Sequence, residues 1–323
     1  MNALEVKNNI NLLASRRQHF LFGINFELTE GFVIENPKSQ HKILFRTPLA
    51  SNSEPHQANY RNKEILIKHP ESFERYKIRF DIIKNGLMRG DSFLTNLTVK
   101  TPIETPLSLK DIFNSSKAPY CLYYPQHFVC FSPERFIKIN NGIISTNPMK
   151  GTIDAQIPNA ESIILNDEKE SREHNTVVDL LRNDLGIVAN NICIKRFKYI
   201  DKIYTNNHNI LQVSSEITGE LPKDYLNGLG DIIFKMLPAG SISGAPKQST
   251  IDLIKEAEII PRGYYTGIFG YFDGENFDSA VMIRFIEEHN GEKFFRSGGG
   301  ITVLSDARYE YEEVIEKIYL PFV

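Results

Sequence analysis

Two acidic pairs stand at helical spacing, Glu170 with Glu173 and Glu310 with Glu313. A separation of three places each pair on one helical face. If the two faces meet, four carboxylates make an all-oxygen cage for a hard divalent cation, and Mg2+ suits it better than zinc because no His or Cys cluster accompanies them. A solvated helix surface is the other reading of the same spacing. Glu310, Glu313 and Lys317 follow one stripe, so an anion site could border the cation site.

Two small-residue stretches, "GSISGAPK" at 240–247 and "SGGG" at 297–300, leave main-chain amides open that could bind an anion, or else form ordinary tight turns. The first is not a P-loop, because Ala245-Pro246 separate Gly244 from Lys247. Arg284 interrupts the apolar run "SAVMIRFI" and calls for an anionic partner, either a core acid or a carboxylate ligand held by both guanidinium arms. In "STNPMKGT", residues 145–152, Lys150 lies between a proline that sets φ and a glycine that permits close approach of a ligand. To be a nucleophile rather than a loop charge, a lysine must lose its proton, which burial or nearby positive charge promotes.

These residues need a scaffold. The first 150 residues carry short β-like runs, "FLFGINF", "KILFR", "RFDII", "SFLTNLTV", "FVCFS" and "RFIKINNGIIST", the last with an Asn141-Gly142 hairpin turn. A large antiparallel sheet system is the expectation. From Pro158 to about Ala189 the pattern turns helical, anchored by Ile163, Ile164, Val177, Val178, Leu180 and Leu181. A second helix is expected at "SGAPKQSTIDLIKEAE", with Pro246 in its first turn, and a third at "DARYEYEEVIEKIY", N-capped by Asp306. Between them, turns at Asp273-Gly274 and Asn290-Gly291 suggest a three-stranded meander. Counting from those turns sets Tyr265 opposite Arg284, and Arg284 opposite Ser297, beside Gly298. A slip of one residue would send Tyr265 and Arg284 to opposite faces.

Composition narrows the classes. The chain has 323 residues, 41% of them hydrophobic, enough for a substantial core. Lys+Arg 37 against Asp+Glu 40 leaves a formal charge of -3, so no overall positive field favours nucleic acid or anionic membrane. Cys121, Cys130 and Cys193 are odd in number and lack metal-ligand spacing, which fits a reducing compartment. No stretch has a signal peptide's apolar core or the roughly 18 apolar residues of a membrane helix, so the expectation is a soluble, cytoplasmic protein. No linker or repeat divides it, so a single domain over 1–323 is expected, with 1–90 part of the same unit.

Seven ordered matches between about 90 and 318 give the chain a resemblance to the chorismate-utilising enzymes: "GDSFLTNLT", "SPERF", "PMKGT", "KESREHNTVVDLLRNDL", "LPAGSISGAPK", "RGYYTGIFGY" with "VMIRFI", and "SGGGITVLSDARYEYEE". The family includes anthranilate, aminodeoxychorismate, isochorismate and salicylate synthases. The resemblance implies an α+β fold, two large antiparallel sheets packed as a sandwich with outer helices. It implies chorismate bound beside Mg2+, with Glu173 and Glu313 as direct ligands and Glu170 and Glu310 bound directly or through water. Arg284 and Tyr265 would hold the enolpyruvyl carboxylate. Gly151, Thr152, Ser241, Gly298, Gly299, Gly300 and Lys317 would surround the ring carboxylate.

Within the family, Lys150 resembles the lysine of the aminodeoxychorismate synthase component I branch, where it attacks ring C2 while the 4-hydroxyl leaves and ammonia then enters at C4. Glu134, in "SPERF", resembles the acid that protonates the departing hydroxyl. Gln212 stands where anthranilate synthases carry a histidine, which weakens a reading that eliminates pyruvate. None of the cysteines lies in a glycine-flanked nucleophile motif, so ammonia is expected from a separate glutamine amidotransferase subunit. Other chorismate chemistry, or a non-catalytic chorismate-binding scaffold for an amidotransferase, are the competing readings.

Overall fold

A computed structural model describes residues 1–53, 66–203 and 209–321. In chain order the first elements are α1 (Ala3–Ser15), β1 (Phe20–Ile24), β2 (Gly31–Glu35), β3 (Leu44–Arg46), β4 (Ile67–Lys68), α2 (Phe73–Arg89) and β5 (Leu94–Glu104). There follow α3 (Leu109–Ser115), β6 (Tyr120–Tyr124), β7 (Phe128–Ser132), β8 (Arg135–Asn140), β9 (Ile143–Thr146), β10 (Met149–Asp154), α4 (Ala160–Asn166) and α5 (Glu168–Gly186). Next come β11 (Asn190–Ile203), β12 (Ile210–Glu220), α6 (Leu229–Lys235), α7 (Gly240–Ser243), β13 (Gly244–Ala245) and α8 (Lys247–Ala257). The last are β14 (Ile268–Phe272), β15 (Phe277–Val281), β16 (Phe285–His289), β17 (Glu292–Ile301) and α9 (Ala307–Glu316).

The strands form two antiparallel sheets. One has the order β10-β12-β9-β8-β15-β14-β1-β2, with β11 also paired to β12; the other runs β13-β5-β17-β16-β7-β6-β3, with β4 on β5. Between them Leu21, Phe269 and Tyr271 of the first sheet pack on Phe45, Leu122, Cys130 and Phe285 of the second. Helices cover the outer faces. On the first sheet α1, α5 and α6 contribute Ile10, Leu181, Leu185 and Ile233 to a shared core. On the second, α2, α8 and α9 pack Phe80, Leu253 and Val314 around Leu97 and Val99 of β5. Among the described residues no helix is long and apolar enough to cross a membrane.

Four expectations change. "RFDII" is helical, inside α2, because Tyr76, Phe80, Ile83 and Leu87 are buried at steps of four, three and four. Ser72 caps that helix at Arg75 N, and Gly90 ends it at φ 86°. The single helix expected from Pro158 is two, α4 and α5, parted where the Asp167 side chain accepts from Glu170 N and starts the second; Ile163, read as an anchor, is exposed. The helix from 247 begins just after Pro246, which occupies the N-cap position.

The fourth change creates the site. The expected meander keeps its counted register, Phe272 facing Phe277 and Phe285 facing Arg296, but its middle strand breaks. β15 belongs to the first sheet and β16 to the second, with Met282 to Arg284 crossing between them. Beside it the chain crosses in the reverse sense, from β7 to β8, through Pro133 and Glu134. The two crossings are hydrogen-bonded neighbours: Phe131 N donates to Arg284 O at 3.0 Å and Val281 N to Glu134 O at 3.1 Å. Glu134 and Arg284 therefore share one corner of the sandwich.

Candidate active site

A cavity of about 210 Å³ opens at that corner. Glu134, Lys150, Ser241, Tyr265, Arg284, Gly298, Gly299, Gly300 and Lys317 line it together, as does Gln212. Gly151 and Thr152 stay in the β10 backbone, where a bulge between Lys150 and Thr152 shifts the pairing with β12. Gly151 takes φ 69° at that bulge, a conformation that costs a residue with a Cβ.

Glu134 is held by a residue 107 positions away. Ser241 Oγ donates to its Oε1 at 2.5 Å. Burial raises the Glu134 pKa, while the Ser241 bond and the charges of Lys150 and Arg284 pull the other way. A carboxyl so placed keeps its proton to higher pH than an exposed one.

Lys150 reaches in from β10. Its Nζ lies 3.5 Å from Glu173 Oε2, and 3.6 Å from the position a Cβ on Gly300 would take. The amine thus borders the glycine run. Arg284 sits in the crossover, not in a strand, at φ 52°, and its Nε donates to the Tyr319 hydroxyl at 3.0 Å. Tyr265 is buried, and burial, opposed by Arg262 and Arg284, pushes its phenol up to about 12. It remains a neutral hydrogen-bonding group.

Lys317 Nζ lies 2.6 Å from Glu313 Oε1 and donates to Gly298 O at 2.9 Å. The carbonyl of that glycine is thereby engaged, alongside the amides expected to serve an anion.

Of the four expected metal ligands, Glu170 and Glu173 sit on α5 beside β10, and Glu310 and Glu313 on α9 beside β17. Among the described residues no three His, Cys, Asp or Glu side chains converge closely enough to hold an ion, so the cage is not preassembled; Glu173 and Glu313 each face a lysine instead. The donor set still suits a hard cation, being carboxylate throughout. Two glycines leave room for it. A Cβ at Gly151 would stand 3.2 Å from Glu170 Oε2, and one at Gly299 3.3 Å from Glu310 Oε2.

Two supporting residues escaped the sequence reading. His174 follows Glu173, is buried, and pairs its Nε2 with Ser215 Oγ at 2.7 Å; burial first, then Lys198 and Lys150, lower its pKa to about 4. Asp184 lies 3.0 Å from Lys247, and Gly240 passes so close to it that a Cβ there would meet its Oδ2 at 2.5 Å. That contact seats α7, and with it Ser241. Only the helical spacing of Glu170, His174 and Asp184 could have hinted at an inward face, and spacing alone does not say what packs on it.

The chain has relatives of known type. A family profile described as chorismate binding enzyme matches residues 18–321. A Haemophilus influenzae protein named an uncharacterized PabA-like protein is 47% identical over 316 residues, covering 96% of this chain and 94% of its own. Aminodeoxychorismate synthase component 1 of Bacillus subtilis is 32% identical over 253 residues, covering 73% of this chain and 52% of its own, so this chain spans about half of that protein. The crystal structure of anthranilate synthase component I from Streptococcus pneumoniae superposes with a TM-score of 0.66 at 26% identity, over 79% of this chain and 59% of that one.

Proposed function

The chain belongs to the chorismate-binding enzymes of the anthranilate synthase component I type, and on that premise we propose that it converts chorismate and ammonia to 4-amino-4-deoxychorismate. The observation that carries this is the lysine amine of Lys150 in one cavity with the proton-retaining carboxyl of Glu134.

Lys150 Nζ, as the free amine, attacks C2 of the ring. The two ring double bonds shift and the C4–oxygen bond breaks. Glu134 gives its proton to the leaving hydroxyl, which departs as water, and positioned acids of this kind accelerate such steps by about 10²- to 10⁴-fold. Ammonia then attacks C4, the double bonds return, the C2–nitrogen bond breaks, and the surplus proton goes back to Glu134. Lysine and acid are both restored, and the net exchange is ammonia in, water out.

Arg284 and Tyr265 would orient the enolpyruvyl carboxylate, and Gly298 to Gly300 with Lys317 and Ser241 the ring carboxylate. Glu170, Glu173, Glu310 and Glu313 would hold Mg2+, which when bound neutralises a substrate carboxylate. A glutamine amidotransferase subunit would supply the ammonia, as the "component 1" name of the Bacillus relative suggests.

The test is product analysis with chorismate, Mg2+ and an ammonium salt. A product that a separate lyase turns into 4-aminobenzoate is expected. Formation of 2-aminobenzoate or salicylate, or binding without consumption, would overturn the reading.

A further inference from the structure

Behind the catalytic cavity lies a second depression, of about 530 Å³, on the outer face of β8, β9, β12 and β11. The two share a wall. Arg135 and Asn147 line both spaces. Arg135 Nη1 donates to Asn147 Oδ1 at 2.9 Å, and Asn147 Nδ2 donates to the Tyr199 hydroxyl at 3.4 Å on the outer side.

The charges differ on the two sides. The depression presents Arg135, Lys138, Lys195 and Arg196; Arg135 is paired with the buried Asp278 at 3.1 Å and Lys195 with Glu216 at 3.5 Å, so Lys138 and Arg196 carry the surplus positive charge. The helices beside Lys150 and Lys317 present Glu170, Glu173, Glu310 and Glu313, with Glu173 and Glu313 paired to those lysines. A cation is attracted to that acidic rim and repelled from the basic depression. Ammonia at neutral pH is mostly ammonium, whose nitrogen has no lone pair to attack with. An entrance that repels ammonium passes the neutral, nucleophilic form.

We propose that this depression is the port through which neutral ammonia reaches the cavity, with the Arg135–Asn147 contact as its inner gate. The inference rests on the amination reading above. It assigns the polar outer face a role distinct from chorismate binding.

Ser145 lines the depression without lining the cavity, which makes it a place to plug the port. Ser145→Cys would be made in a Cys193→Ser background, because Cys121 and Cys130 are buried and Cys193 is exposed. Labelling the folded protein with a benzyl methanethiosulfonate then fills the depression without asking the variant to fold around the plug. With ammonium chloride as nitrogen source, the label is expected to raise the KM for ammonia by about tenfold or more, leaving the KM for chorismate and ammonia-free adduct formation at Lys150 unchanged. An unchanged ammonia KM, with the label verified by mass, overturns the port and leaves the amination reading standing. Equal loss of adduct formation also overturns it, because the depression would then act on chorismate. If unlabelled protein forms neither adduct nor aminated product, the amination reading fails and the port with it.

Discussion

Two lysine–glutamate pairs border the same glycine run and differ in what holds the lysine. Lys317, at the end of α9, is fixed by a 2.6 Å contact to Glu313 and a 2.9 Å bond to Gly298 O. Lys150 meets Glu173 at 3.5 Å, beyond good hydrogen-bond length, and projects from a bulged strand. Two short acceptors tether Lys317, whereas one long contact leaves Lys150 less tightly held. Residue type and neighbouring carboxylate are the same in both pairs, so it is the contacts that set the proposed nucleophile apart from the proposed anchor.

Lys150→Ala is the sharpest break of that contrast. It is expected to lower kcat by at least about 10³-fold and to abolish the substrate-derived adduct seen by mass spectrometry without ammonia. An adduct surviving in this variant would move the nucleophile elsewhere. Glu134→Gln should follow, with kcat down by roughly 10²- to 10⁴-fold and little change in the chorismate KM.

The acid also leaves a pH signature. Because the folded pKa of Glu134 is raised, the first step should fall off as pH rises through that raised value. Linkage runs the same way: the folded state holds this proton more tightly, so the stabilisation is complete below the unfolded pKa and is lost as pH rises through the folded one. Melting temperatures of wild type and Glu134→Gln across that range should therefore diverge as pH rises. Parallel curves would place the raised pKa on another group.

Lys317→Met tests the anchor. It should raise the chorismate KM by about tenfold while leaving adduct formation at saturating chorismate near the wild-type rate, the mark of a group that binds ground and transition states alike. A large kcat loss instead would erase the contrast between the lysines. Gly299→Ala should have the smallest effect, a KM increase of about two- to fivefold, because its Cβ meets Glu310 Oε2 at 3.3 Å and the carboxylate must yield. No change would mean that Glu310 has slack to spare.

Much of the site was legible as residue types: the acidic pairs, Arg284, the glycine run and Lys150 all stand out by spacing or by an unusual setting. The hairpin counts set Tyr265 opposite Arg284 because a two-residue turn fixes register on both sides. What misled was continuity. "SAVMIRFI" reads as one strand, yet it spans two sheets, and nothing local marks a change of sheet except the positive φ at Arg284 that only coordinates display. "RFDII" reads as a strand in isolation because five residues are too few to separate a period of two from 3.6.

The order of motifs by itself determined the family and hence the sandwich, since each motif is a local pattern that a linear reading can match. The tertiary structure alone decided that Ser241 bonds Glu134 across 107 positions, and that Asp184 and Lys247 seat the turn carrying that serine. It alone separated the two lysines. The physical reason is that hydrogen bonds, burial and the resulting proton affinities depend on distances between segments remote in the chain, which periodicity and local propensity do not encode.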